Sequence, residues 1–191
     1  MVENIMTTKL KTEQMKQSVT QMIEAARHDP QKFGDLYLLY SQPIFRYLYS
    51  RIGNTPDAED TMAQTFLAAL EQIQRYKHDG HFTSWLFSIA RNKAMDYFRK
   101  RRKETLLNEE DPIYTDISQL SQVIKNEQIF ALSELINKLP EEEQELIRLR
   151  YVAELSFVEI GYLLGQKEDT VKKSLYRLLA RLKTQLEDSH V

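Results

Sequence analysis

Apolar positions in this chain recur at intervals of three and four. That is the period of a helix burying one side, and the strict alternation of a half-buried strand is nearly absent. The pattern predicts an all-α protein. Val19, Met22, Ile23 and Ala26 mark a helix within residues 1–28. Phe33, Leu36, Tyr37, Tyr40, Ile44, Tyr47 and Leu48 mark another over 31–52. Pro43 is expected to kink or split it, because proline removes one backbone donor and crowds the preceding turn. Gly53-Asn54-Thr55-Pro56 is a turn that starts the next helix, with Thr55 suited to the cap and Pro56 to the first helical position. Asp57, Glu59 and Asp60 then favour the positive end of the helix dipole. This helix should reach about Tyr76 and bury Ala58, Met62, Phe66, Ala69, Leu70 and Ile73. After the loop KHDGH, FTSWLFSIARNKAMDYFRKRRK opens as an aromatic helix and ends in positive charge. Phe82, Trp85, Leu86, Ile89, Ala90 and Tyr97 fall near one face, and Ser84, Ser88, Arg91, Asn92, Asp96 and Arg99 near another. Phe87 and Met95 fall cleanly on neither core face.

Residues 104–126 break the period. DPIYTDISQLSQ is polar and acidic, and reads as a mobile linker. Helices resume at about 126–137, and Pro140 restarts one over 140–152. Then comes SFVEIGYLLGQKEDTVKKSLYRLLARLK. Ser156 with Glu159 is a capping box, and Leu155 with Ile160 a hydrophobic staple. Gly165 ends that helix, and a second starts at about Glu168. Gly161 sits four before Gly165 and ten before Val171, as in a helix-turn-helix with a small residue where the helices cross. Val171, Leu175, Leu178, Leu179 and Leu182 face inward, which leaves Lys172, Lys173, Ser174, Tyr176, Arg177 and Arg181 outside. An outward basic face is what entry into a DNA major groove requires. The plainer alternative is an amphipathic hairpin with a solvated basic face.

Charge sharpens this picture. The net charge of -2 conceals basic patches at Arg99–Lys103 and at Lys172, Lys173, Arg177, Arg181 and Lys183, with acids between them. Basic residues grip phosphates, and exposed aromatics stack on unpaired bases, so the run with Asn92, Tyr97 and Arg99 points to nucleic acid. Lys77, His78 and His81 either position a base or phosphate or form an ordinary polar loop. His78 and His81 have no third ligand at a regular spacing, so no metal or cofactor is expected. The chain has no cysteine, which excludes disulfides and thiolate chemistry. With no Gly-rich phosphate loop and no nucleophile–base constellation, it is not expected to be an enzyme. No apolar run approaches the ~20 residues of a membrane span, and the N-terminus lacks a secretory signal, so a cytoplasmic location is expected.

Two stretches in this order carry a resemblance: DAEDTMAQTFLAALEQIQRY at 57–76 with FTSWLFSIARNKAMDYFRKRR at 82–102, then LPEEEQELIRLRYVAELSFVEIGYLLGQKEDTVKKSLYRLLARLK at 139–183. Together they resemble the sigma-70 superfamily of bacterial RNA polymerase initiation factors, in its small two-domain extracytoplasmic-function group. The resemblance implies two small helical domains, 29–103 and 127–186, joined by a flexible linker at 104–126, with an N-terminal extension 1–28 of no assigned role and a tail 187–191. It implies that Asp57, Glu59, Asp60, Gln64 and Glu71 dock on the clamp helices of the polymerase's largest subunit, and that the flap of the second-largest subunit is a further partner. It implies −10 promoter recognition by Lys77, His78, His81, Phe82, Arg91, Asn92, Asp96, Tyr97, Arg99, Lys100, Arg101 and Arg102, with a flipped base held near His78–Phe82 and Asn92. It implies −35 recognition by Glu168, Asp169, Thr170, Lys172, Lys173, Ser174, Tyr176, Arg177 and Arg181. An anti-sigma factor, often membrane-bound, would be the regulator; there would be no small-molecule substrate, and the free chain would be monomeric. The chain departs from the family's pattern at Ala63-Gln64, at Lys167 and Asp169, and at Lys173-Ser174. The rivals are a stand-alone helix-turn-helix regulator, which leaves 57–103 unexplained, and a helical adaptor with solvated basic faces.

Overall fold

The computed structural model describes residues 14, 17–77, 80–108 and 127–188, and these hold helices and turns with no strand. Helix α1 spans 17–28 and buries Val19, Ile23 and Ala26. A short 3-10 turn, Pro30–Lys32, is capped by Asp29, whose carboxylate accepts from the Gln31 N–H. Helix α2 runs unbroken from Phe33 to Ile52, so Pro43 does not split it. Tyr40 and Ile44 on either side of the proline are buried, as are Tyr47 and Leu48 a turn later. Packing of that face outweighs one missing backbone bond. Gly53 ends α2 in the left-handed region at φ 85°, with its N–H donating to Tyr49 O.

Helix α3 is Thr55–Gln72. Its cap is Asn54 rather than Thr55. Asn54 has the extended backbone of a cap, and its side chain accepts from the Asp57 N–H at 3.0 Å, while Thr55 is already helical. A 3-10 turn, Ile73–Arg75, finishes the element. Helix α4, Phe82–Asn108, continues five residues past the expected boundary at 103.

Helices α2, α3 and α4 pack around an aromatic core. Phe66 meets Phe33 and Tyr37 edge-on, and Phe82 meets Tyr40 and Tyr76. Phe87 is 1% exposed and sets its ring edge-on to Tyr47 at 5.5 Å, which corrects its placement on neither core face. Ser84, expected on an outward face, is also fully buried. Both corrections have one cause: α4 is flanked by α2 and α3 and also by a helix of the second domain, so it buries more than a single stripe.

The second domain comprises α5 (Glu127–Asn137), α6 (Glu141–Ile147) continuing into a π turn (Arg148–Val152), α7 (Phe157–Leu164) and α8 (Glu168–Asp188). The capping box forms as expected: Ser156 Oγ accepts from the Glu159 N–H, and Glu159 accepts from the Ser156 N–H at 2.8 Å. Leu155 and Ile160 are both buried. Gly165 ends α7 at φ 66°. Gly161 is small for a different reason from a helix crossing. A Cβ there would lie 2.7 Å from the carbonyl oxygen of Gln166, whose own N–H returns to Gly161 O at 2.8 Å. The turn backbone itself occupies the space. Val171, Leu175, Leu178 and Leu182 are buried and Leu179 partly so, as the spacing predicts.

The two domains pack directly on each other, the π turn against α2 and α7 against α4, and one buried core runs through both. The linker expected at 104–126 lies, from residue 109 on, outside the described residues. Among the described residues, no helix is long and apolar enough to cross a membrane.

Candidate nucleic-acid and polymerase interface

On α3, Asp60, Gln64 and Glu71 fall at helical spacing along one exposed stripe, and Gln64 donates to Asp60 at 2.6 Å. Leu67 completes the same stripe and is 59% exposed, a large apolar residue framed by polar ones. The sequence reading omitted Leu67, although its i+3 relation to Gln64 marks it. Glu59 is also exposed. Asp57 has a different setting. Its carboxylate accepts from Tyr97 Oη at 2.7 Å and from Asn54 at 2.8 Å, and these bonds hold its pKa below the ordinary value. Burial, then the bond to Asp57, raises the Tyr97 hydroxyl. Arg101 donates to the same hydroxyl at 2.8 Å. Asp57, Tyr97 and Arg101 therefore tie the start of α3 to the end of α4, and Tyr97 is a brace rather than an open stacking platform.

Around the start of α4, Lys77 is exposed, and His78 lies outside the described residues. Phe82 is 4% exposed, packed with Tyr40, Tyr76 and Trp85, which corrects its expected presentation to DNA. Only its apolar neighbours can satisfy a ring there. His81 stacks on Tyr162 of α7 at 4.1 Å. Farther along, Asn92 is exposed, Asp96 pairs with Arg99 at 2.7 Å, Lys100 faces Glu104 at 3.9 Å, and Arg102 is exposed.

Arg27 was missed by the sequence reading, which gave residues 1–28 no role. Its guanidinium donates to Ile73 O at 3.1 Å and to Tyr76 O, and Gln74 donates back to Arg27 O at 2.6 Å. These carbonyls end the 3-10 turn just before the loop at 77–81, so α1 fixes where that loop begins. No local spacing signals a contact across 46 residues.

On α8, Lys172, Lys173, Ser174 and Arg177 are exposed and have no hydrogen-bond or ion-pair partner among the described residues. Tyr176 is exposed and touches Phe157 edge-on at 6.1 Å. Arg181 pairs with Glu143. Glu168, Asp169 and Thr170 are exposed at the helix start, where the dipole favours the two acids.

The seam between the domains holds a polar cluster. Glu145 of α6 is 3% exposed and accepts from Tyr47 Oη and Arg51 Nη1, each at 2.7 Å. Arg91 Nε lies 3.3 Å from it, misaligned for a hydrogen bond. Burial, reinforced by the Glu145 charge, pushes the Tyr47 hydroxyl far up. For Arg51, burial works against the charged form, but Tyr47 and Glu145 outweigh it and the pKa rises. Among the described residues no cluster of His, Asp and Glu could hold a metal ion.

The family model "Sigma-70 region 2" matches residues 36–104, and "Sigma-70, region 4" matches 129–182. The sigma factor SigW of Bacillus subtilis is 30% identical over 176 residues, covering 86% of this chain and 94% of that protein. BldN of Streptomyces coelicolor is 33% identical over 160 residues, covering 82% of this chain and 61% of BldN. Among solved structures, the fold is similar to CnrH in complex with the cytosolic domain of CnrY, with a TM-score of 0.65 at 24% identity, covering 87% of this chain and 96% of CnrH. It is also similar to RpoE with the anti-sigma factor NepR from Bartonella quintana, with a TM-score of 0.60 at 21% identity, covering 82% and 98%. The chain belongs to the extracytoplasmic-function group of the sigma-70 family, and its function is that of an RNA polymerase sigma factor.

Proposed function

We propose that this chain directs polymerase to promoters by dividing two tasks between its domains. The α8 face of Lys172, Lys173, Ser174, Tyr176 and Arg177 reads the −35 element as duplex in the major groove. The loop at 77–81, with Arg91, Asn92 and the basic end of α4, takes the −10 non-template strand as it opens. The α3 stripe of Asp60, Gln64, Leu67 and Glu71, with Glu59 beside it, docks on the clamp helices of the largest subunit. Asp57 serves instead to brace α4. The observation that carries this reading is the α8 face. Lys172, Lys173, Ser174 and Arg177 project, without hydrogen-bond or ion-pair partners among the described residues, from a helix positioned by a tight turn. Charges left unpaired on a rigid helix cost least where water or phosphate solvates them.

The chain itself supplies no catalysis; nucleotidyl transfer belongs to the polymerase. It acts in the cytoplasm, and membership of the extracytoplasmic-function group supports control by an anti-sigma factor. The test is transcription in vitro with purified bacterial core polymerase on a pool of genomic fragments. New start sites that need this chain, with two shared upstream elements, are the expected result. A chain that shifts duplex DNA alone and leaves core polymerase unchanged would be a stand-alone regulator instead.

A further inference from the structure

We propose that Arg150 and Phe157 are positioning residues for duplex recognition, holding the Tyr176 ring of α8 where it meets thymine methyl groups in the −35 element. Three side chains from three elements stand in a row. The Arg150 guanidinium, from the π turn, lies over the Phe157 ring at 4.9 Å. Phe157, the first residue of α7, meets the Tyr176 ring at 6.1 Å with the planes at 69°. Tyr176 is 55% exposed on the α8 face that carries Lys172, Lys173 and Arg177. The inference rests on the proposal that this face enters the −35 groove, and adds to it how one of its residues is aimed.

Each member of the row is fixed from behind. Arg150 Nη1 donates to Leu155 O at 2.7 Å, which ties the guanidinium to the chain just before the Ser156 cap. The turn between them is itself closed. Ala153 N–H donates to Arg148 O at 2.9 Å and Leu155 N–H to Leu149 O at 3.0 Å, while Glu154 takes the left-handed conformation at φ 59°. Phe157 is half-buried and packs against the core. A guanidinium within about 6 Å of a ring centroid is attracted to the negative face of the ring. The ring edge-on to its neighbour is a preferred aromatic geometry. An exposed tyrosine otherwise samples several rotamers, and immobilising one on binding costs affinity. A ring held in advance avoids that cost. What such a ring reads is apolar, and in the major groove thymine alone among the bases offers a methyl group. Where the basic neighbours of Tyr176 grip phosphates they carry no sequence information, so the ring adds selectivity to their attraction.

The test uses the holoenzyme formed from the full chain and purified core polymerase, on a duplex promoter from the transcription assay above. Each thymine of its −35 element is replaced in turn by uracil, which removes the ring methyl and keeps the base pair. In the parent, replacement at the thymine that meets Tyr176 should weaken binding about fourfold, the value of one buried methyl-sized group. In Tyr176→Ala the same replacement should have no effect. Phe157→Leu keeps an apolar side chain and removes the ring. It should weaken binding about two- to tenfold and lose most of the uracil effect, and Phe157→Tyr should retain both affinity and the effect. Adding Phe157→Leu to Tyr176→Ala should cost nothing further. Arg150→Met, which leaves Phe157 in place, should act in the same direction more weakly, and decides the matter if Phe157→Leu does not fold. A folded Phe157→Leu that loses affinity equally for thymine and uracil promoters is merely structural, and overturns the inference. So does a parent blind to every replacement. A holoenzyme with no dependence on any −35 element overturns the inference and the proposed duplex reading together.

Discussion

The two basic surfaces of this protein are built on opposite plans. On α8, Lys172, Lys173, Ser174 and Arg177 stand in solvent without partners among the described residues. On and before α4, several candidates are engaged, His81 with Tyr162, Arg91 beside Glu145, Tyr97 with Asp57, Arg101 with Tyr97 and Arg99 with Asp96, while Lys77, Asn92 and Arg102 stand exposed. On the proposed reading, the difference follows from what each surface would meet. A duplex presents a fixed groove, so a rigid exposed helix can be complementary to it in advance. Unpaired bases and melted strand exist only after opening, and on the proposed reading part of the surface that would meet them is engaged internally until then. The lesson is that a count of basic residues ranks these surfaces as equals, while their partners rank them as ready and reserved.

The largest blow to this contrast would come from Phe87→Ala. It empties a fully buried aromatic site beneath Tyr47 and should cost about 3–5 kcal/mol. A thermal melt checks it, and an unchanged midpoint would show that α4 is not held as described. Gly161→Ala attacks the other surface. Its Cβ meets turn backbone, so a loss of about 1–3 kcal/mol is expected, with duplex binding falling more than single-strand binding. Arg27→Met frees the carbonyls of Ile73 and Tyr76 and should cost about 1–3 kcal/mol. If Arg27 positions the 77–81 loop, promoter opening measured by permanganate reactivity falls while duplex binding through α8 holds, and Arg27→Lys restores part of the loss. Equal losses in both would make it merely structural.

Lys172→Ala should weaken duplex binding roughly evenly across sequences and lower the salt slope by about 1. A sequence-dependent loss would instead make Lys172 a base reader. The smallest effect concerns pH. The folded pKa of Asp57 lies below its ordinary 3.8, so its bond to Tyr97 stabilises the fold above that value. The contribution is lost as pH falls through the lowered folded value. Tyr97→Phe should flatten that part of a stability curve, read as melting midpoint against pH from about 5 down to 3.

How much of this was legible depended on whether one helix sufficed to state it. The capping box at Ser156, the stop at Gly165 and the two faces of α8 were all readable, because each is set by residues within a turn or two. Asn54 was passed over as a cap because it sits beside Thr55 and Pro56, which carry similar local signals; only the backbone angles separate them. Phe82, Ser84 and Phe87 were misplaced because helical periodicity assumes one buried side, and α4 has neighbours on more than one. Glu145 sits in LPEEEQE, which reads as a solvated acidic run until Arg51 and Tyr47 are seen to meet it.

The sequence by itself determined the helical class, the order of the two domains, the turn before α8 and the family to which the chain belongs. Periodicity, caps and turn residues act over a few positions and need no other element. Only the tertiary structure decided that the domains close on each other, that Arg27 holds the entry to the 77–81 loop, and that Arg91 and His81 are occupied while the α8 face is not. Those outcomes join residues far apart in the chain, 98 positions in the case of Tyr47 and Glu145. Whether a charge is buried or solvated is set by what the rest of the chain brings to it.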